Sequence, residues 1–166
     1  MKDLISQIRK GLDNNMYYLS LYVSLTLPDI CGAIESNNGE ASGDKYKKWF
    51  NDYVAPKYLD NFDGEDCYYF RCSLLHQGSS QHSKSKYKRV IFVEPTLSNG
   101  YIFHNNILED ALNIDVKIFC EDIINGVEAW LIKNENSDNY NKNNNKYMKR
   151  HPNGLSPYIV GVPVIS

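Results

Sequence analysis

Residues 63–78 read D-G-E-D-C-Y-Y-F-R-C-S-L-L-H-Q-G, and their punctuation predicts one capped helix. Asp63 suits an N-cap, because its carboxylate can accept from the first free backbone N–H groups. Glu65 and Asp66 fall in the first turn, where the helix dipole favours negative charge. The body runs through C-Y-Y-F-R-C-S-L-L-H, and Gly78 supplies the left-handed C-terminal cap. The rest of the chain is read outward from this helix.

Upstream, Ile5, Ile8, Leu12, Met16, Leu19, Val23 and Leu27 step by three and four residues. That spacing predicts a helix of about six turns. Tyr18, Tyr22 and Leu25 widen the apolar stripe, as expected for a helix contacted on two sides, in a bundle or at a dimer seam. Pro28 closes it, since the residue before a proline is driven out of helical geometry. Residues 29–43 are rich in Gly, Ser and Asn and read as a loop. Ser42 caps the next helix, which carries Tyr46, Trp49, Phe50 and Tyr53 on one stripe and is kinked or ended by Pro56.

Downstream of Gly78 the pattern changes. Residues 79–86 are polar. Val90, Ile91, Phe92 and Val93 suit a strand, Ser98-Asn99-Gly100 a turn, and Tyr101-Ile102-Phe103 the return strand of a hairpin. Asn106 with Glu109 has capping-box spacing and predicts a short helix. Asp115 opens another, with Val116, Phe119, Ile123, Val127 and Trp130 on one face. Residues 134–146 hold seven asparagines in 13 positions, the composition of an exposed, mobile loop. The β-branched C-terminus from Tyr158 to Ile165 reads as a strand, placed at a sheet edge by Pro163. The predicted fold is mainly α. It is a helical bundle with a small appended antiparallel sheet, made by the mid-chain hairpin and the C-terminal strand. The chain forms a single domain over 1–166: a helical half (1–78), hairpin plus helices (79–133), an Asn/Lys-rich loop (134–150) and the C-terminal strand (151–166).

Composition narrows the function. The 166 residues carry 18 Lys and Arg against 20 Asp and Glu, a net charge of −2, which excludes a generally basic nucleic-acid coat. Two local basic islands stand out. Lys84, Lys86, Lys88 and Arg89 have no acid among residues 81–89, and Lys142, Lys146, Lys149 and Arg150 lie within 142–150. Each reads either as a phosphate-contacting patch or as a solubilising loop. The sequence shows no secretory signal and no membrane span. Cys31, Cys67, Cys72 and Cys120 lack C-x-x-C spacing and read as free thiols of a reducing cytoplasm. The 13 tyrosines suit a wet core edge or an interface.

The string that carries chemistry is Arg71-Cys72-Ser73-Leu74-Leu75-His76, an R-x-x-x-x-H at the end of an apolar helix. In a helical context over 1–78 it resembles the signature of the HEPN superfamily of small helical bundles. Many members are metal-independent ribonucleases of toxin–antitoxin, abortive-infection and RNA-guided defence systems. The resemblance implies that two protomers pair around one cleft. It implies that Arg71 stabilises the scissile phosphate and that His76 moves protons at the 2′-hydroxyl and the leaving oxygen. Its implied partners are RNA, a second copy, and a cognate antitoxin or defence protein. The residue after the Arg, commonly Asn, Asp or His in active members, is Cys72. The strings D-I-C-G-A-I-E, K-Y-K-K-W-F and G-E-D-C-Y-Y-F-R-C-S-L-L-H-Q-G are also similar to a group of uncharacterised bacterial proteins.

The residue types fit that chemistry. RNA carries its own nucleophile, so cleavage asks for a base titrating near neutrality and a cation at the developing phosphorane charge. Imidazole and guanidinium supply these, with no metal or cofactor needed. Lys84, Lys86, Lys88 and Arg89 are the candidate substrate-binding residues, and contacts from them would make binding salt-dependent. On a regular helix, however, Arg71 and His76 point about 140° apart. A composite cleft or a distorted helix end is then expected to bring them together. The alternatives stay open. Arg71 is a structural partner of Asp29, Glu35 or Asp66, with His76 an ordinary helix-end residue. The bundle is an inert module that binds a protein or a small ligand through its Tyr-rich surface and the D-I-C-G-A-I-E loop. Cys31, Cys67, Cys72 and His76 form a zinc set at an unusual spacing, or Cys72 and His76 a nucleophile pair.

Overall fold

The computed structural model describes residues 1–95 and 102–166. Its first helix, α1 (Lys2–Asp13), buries Ile5, Ile8 and Leu12. The expected six-turn helix breaks at Asn14-Asn15. Asn15 takes a left-handed backbone (φ 58), a conformation asparagine tolerates better than most residues. The chain then starts α2 (Tyr17–Ser24). The two helices approach closely at Gly11, where a Cβ would lie 2.5 Å from Ser20 Oγ. The three-and-four spacing continues across the break, which is why periodicity alone reads through it.

Pro28 does not close a helix; it opens one. It sits in the first turn of α3 (Leu27–Glu35), where no intrahelical bond needs its missing N–H. Residues 29–35, expected as loop, are therefore helical, and the loop is only 36–42. In α4 (Gly43–Tyr53), Ser42 accepts from Lys45 N as the predicted cap, and Tyr46, Trp49 and Phe50 are buried. Pro56 lies in a short 3₁₀ turn over Ala55–Lys57. In α5 (Gly64–Gln77), Asp63 accepts from Glu65 N and Asp66 N, and Gly78 caps the end with φ 63. The N-terminus of α5 lies against α4: a Cβ on Gly64 would stand 2.3 Å from Lys47 O.

The sheet differs from the predicted hairpin. Strand β1 (Arg89–Val93) pairs parallel with β3 (Ala111–Asp115), and β2 (Asn106–Leu108) pairs antiparallel with β3. The spatial order is β1-β3-β2. Asn106 thus begins a strand rather than a helix. Glu109 and Asp110 make its turn with positive φ, a geometry that aspartate tolerates better than most residues. The predicted turn Ser98-Asn99-Gly100 and Tyr101 lie outside the described residues, and Ile102 and Phe103 belong to no strand.

Asp115 accepts from Ile118 N and opens α6 (Val116–Asn134), the buried axis of the fold, with Phe119, Cys120, Ile123, Ile124, Val127 and Trp130 fully enclosed. Phe92 bridges to Phe119 (ring centroids 5.0 Å) and to Phe70 of α5 (5.1 Å), joining sheet to bundle. The asparagine-rich stretch is ordered: it forms α7 (Asp138–Asn143) and a 3₁₀ turn over Asn144–Lys146. Asn143 is 2% exposed. Its Nδ2 donates to Ile34 O (3.0 Å) and Ser36 O (2.6 Å), satisfying the end of α3. The C-terminal residues do not complete the mid-chain sheet. They pair among themselves, β4 (Arg150–His151) with β7 (Val164–Ile165) and β5 (Gly154–Leu155) with β6 (Ile159–Val160). The fold is mainly α with small sheets of two or three strands. Among the described residues no helix is long and apolar enough to cross a membrane.

Candidate active site

Helix α5 is anchored by Cys67, Phe70, Ser73 and Leu74, which face the core. The same turns hold Arg71 at the core margin and His76 in solvent. Arg71 Nη2 forms an ion pair with Asp29 Oδ2 of α3, with side chains 19% and 15% exposed. Of the three carboxylates weighed for it, the partner is Asp29. It is placed there because Pro28 starts a helix and so turns Asp29 toward α5. The guanidinium lies 6.0 Å from the centroid of the buried Tyr46 ring of α4. Tyr46 hydroxyl and Cys67 Sγ are 3.3 Å apart beneath it. Arg71 Nε is buried without a hydrogen-bond partner among the described residues.

Arg71 and His76 do meet. Arg71 Nη1 is 3.4 Å from His76 Nε2 and 3.8 Å from Cys72 Sγ. The 140° separation describes where the Cα–Cβ bonds point, and a long side chain is not bound by it. The guanidinium folds around the helix across the small Cys72 side chain. His76 leans back toward it, as helical side chains do. No distortion of α5 is needed: its helix continues through Gln77. The guanidinium is donor-only, so Nε2 can bond to it only as an acceptor.

Electrostatics around the pair are uneven. Burial lifts the Asp29 carboxyl above its ordinary value, and Arg71 only partly reverses this. Burial also works against the Arg71 charge, but Asp29 and Cys72 more than restore it, so the guanidinium ends above its usual value. The two shifts do not mirror each other. The arginine's reflects the pairing and the aspartate's the enclosure, and at neutral pH the pair is ionised. Burial pushes the Tyr46 hydroxyl and the Cys67 thiol well up, keeping both neutral beneath the guanidinium.

The basic residues expected to bind substrate do not converge on this pair. Lys84 and Lys86 line a cavity of about 360 Å³ with Asp63, Glu65, Asp66 and Tyr69. Lys86 Nζ donates to Asp60 O (2.7 Å). Lys88 and Arg89 are exposed where the chain enters β1. In the second island Lys142 Nζ donates to Asn37 O (3.1 Å). Arg150 lies in β4.

Other residues near the site come from two signals that motif reading passes over. The Tyr68-Tyr69 doublet places one ring toward Tyr46 (5.6 Å) and the other against His82 (4.7 Å, interplanar 7°). Lys47 of α4 sits over both tyrosines, 5.4 and 5.5 Å from their centroids. The alternative zinc set is not assembled: among the described residues no three His, Cys, Asp or Glu side chains gather to hold a metal. No protein-family model matches the chain, and no curated protein or solved structure matches it significantly.

Proposed function

We propose that the protein is a HEPN-like, metal-independent endoribonuclease acting through Arg71 and His76. The observation that carries this reading is the 3.4 Å approach of Arg71 Nη1 to His76 Nε2. A cation at the core margin and an imidazole at the adjoining exposed helix end supply the two groups that 2′-hydroxyl attack requires. In this reading the scissile phosphate enters between the two groups and takes over the Arg71 N–H, which frees His76 Nε2 to take the 2′-hydroxyl proton as O2′ bonds to phosphorus. Arg71 holds the non-bridging oxygens while the bond to O5′ breaks. The products are a 2′,3′-cyclic phosphate and a 5′-hydroxyl. O5′ receives its proton from a second imidazole, His76 of a paired copy, consistent with the dimer that the HEPN resemblance implies. Asp29 fixes the far edge of the guanidinium, leaving Nη1 aimed at the ring. The same resemblance suggests a toxin or defence setting.

The test is cleavage of end-labelled RNA with EDTA present. Wild type yields cyclic-phosphate ends, and His76→Ala lowers the rate by about 100-fold or more, the usual scale for loss of a general base. Equal cleavage by both proteins, or none by either, removes the reading.

A second reading is favoured by one observation: Arg71 is already neutralised by Asp29. An inert helical module that docks a partner protein or small ligand would hold its arginine in this way. Recovery of one defined partner by both wild type and His76→Ala, without RNA cleavage by either, supports it.

A further inference from the structure

An aromatic row leads away from the Arg71–His76 pair. Tyr46 and Tyr68 are 5.6 Å apart, Tyr68 and Tyr69 6.0 Å, and Tyr69 and His82 4.7 Å, by ring centroids. Only the last contact is a parallel stack, with planes 7° apart. Cations flank it: Lys47 Nζ lies 5.5 Å and Lys84 Nζ 5.7 Å from the Tyr69 centroid. Tyr69 and His76 are seven residues apart, on the same face of α5, with a separation of about 10 Å along the axis. His82 belongs to the irregular segment between α5 and β1 and is held by accepting from Lys84 N through Nδ1 (3.1 Å).

Rings stacked in parallel beside lysines are the platform on which single-stranded nucleic acids lay their bases. Three carboxylates run against an unselective platform, since Asp63, Glu65 and Asp66 line the same cavity as Tyr69, and Glu65 touches the stack itself. The Tyr69 hydroxyl donates to Glu65 Oε1 (2.8 Å), which sets a carboxylate at the edge of the stack, where it would repel a phosphate. Lys47 also reaches Oε1, at 3.7 Å. Among the described residues Oε2 has no hydrogen-bond partner, and the Glu65 side chain is 59% exposed. A carboxylate oxygen has two lone pairs, so Oε1 can still accept beside the open Oε2, and an edge of this kind recognises adjacent N–H donors. Of the four RNA bases, only guanine offers two of them side by side on its Watson–Crick edge. Uracil offers one between carbonyls, and adenine and cytosine each set an amino group beside an acceptor nitrogen.

We propose that the face of Tyr69 now covered by His82 is the seat of a guanine base of single-stranded RNA. Glu65 reads its N1–H and N2–H, and Lys47 and Lys84 take the neighbouring phosphates. His82 is the placeholder ring that the base displaces. The inference deepens the ribonuclease reading and rests on it: the seat would position a guanosine beside the linkage held at Arg71 and His76.

The test measures binding separately from cleavage. Full-length protein carrying His76→Ala is titrated, at low salt, into two fluorescent RNA octamers, eight uridines and the same strand with one central guanosine. The guanosine strand binds about tenfold tighter, the discrimination expected of a two-bond base contact. Adding Glu65→Gln, a near-isosteric change at an exposed side chain, brings the two affinities within about twofold. Adding His82→Ala tightens the guanosine strand, because the seat is vacated. Equal binding of both strands by the parent overturns the seat, as does discrimination that survives Glu65→Gln or weaker binding after His82→Ala. If wild type cleaves RNA yet shows no guanosine preference, the seat fails and the ribonuclease reading stands. If no RNA is bound or cleaved, both fail.

Discussion

Replacing Arg71 with methionine isolates the energetics of its pair with Asp29. Methionine keeps much of the apolar stem and removes the charge. Asp29 is then left 15% exposed with no cation beside it. Removing one member of a fully buried pair costs about 3–5 kcal/mol, and exposed pairs contribute about 0–1 kcal/mol. This pair keeps some water contact, so a loss of about 2 kcal/mol at pH 7 follows. For a chain of this length that lowers Tm by about 4–8 °C.

The pH dependence gives the sharper check. Burial already raises the Asp29 carboxyl above 3.8, and loss of Arg71 raises it further. A raised carboxyl means that its stabilising contribution is whole below the unfolded value and is lost as pH rises through the folded one. The penalty of Arg71→Met is therefore small near pH 4 and grows toward neutrality. Thermal unfolding by circular dichroism at the two pH values measures it. Adding Asp29→Asn to Arg71→Met returns most of the lost stability at pH 7. The reasoning is refuted by a penalty that is the same at both pH values, or by a double variant no more stable than Arg71→Met alone.

Three further outcomes follow from the packing. Gly64→Ala forces a Cβ to within 2.3 Å of Lys47 O and should destabilise by about 3 kcal/mol; an unchanged Tm would deny the close approach of α4 and α5. Asn143→Ala strands two carbonyls at the end of α3 and should cost about 2 kcal/mol, measured by urea unfolding against the exposed Asn145→Ala, which should stay within about 0.5 kcal/mol of wild type. Burial lowers the His104 imidazole below 6.5, against the opposing pull of Asp122 and Asp115, so its contribution is present above pH 6.5 and is lost as pH falls through the folded value. His104→Gln should flatten the Tm profile over that acid range, and an unaltered profile would contradict the assignment.

What could be read from the residues was what is local. Ser42, Asp63, Gly78 and Asp115 act as caps in the structure because a cap involves only the next few residues. Some failures were local too: Pro28 suits a helix start as well as a helix end, and Asn106 with Glu109 suits a strand and turn as well as a cap. Others are places where contacts beyond the element decide. The break at Asn14-Asn15 preserves the apolar step and needs the fit of Ser20 over Gly11 to reveal it. The asparagines of 134–146 read as solvated because composition cannot show that Asn143 finds the carbonyls of α3. For the site, Arg71 and His76 were legible as a spacing, and Asp29 as one of three carboxylates. Their contact was not legible, since helical angles locate Cβ atoms and not the tip of a guanidinium. Glu65 and Tyr69 are four residues apart on one helix and could be paired from spacing, whereas His82 had no reason to join them before it was placed against α5.

The junction between α7 and α3 has a consequence for how the two ends of α3 respond to damage. That junction joins segments more than a hundred residues apart in sequence. It grips the last turn of α3, whereas Asp29 stands in the first turn. Loosening it frays the far end of the helix and leaves the hold on Arg71 in place. Damage to the asparagine-rich segment and damage to the arginine pair are therefore separable.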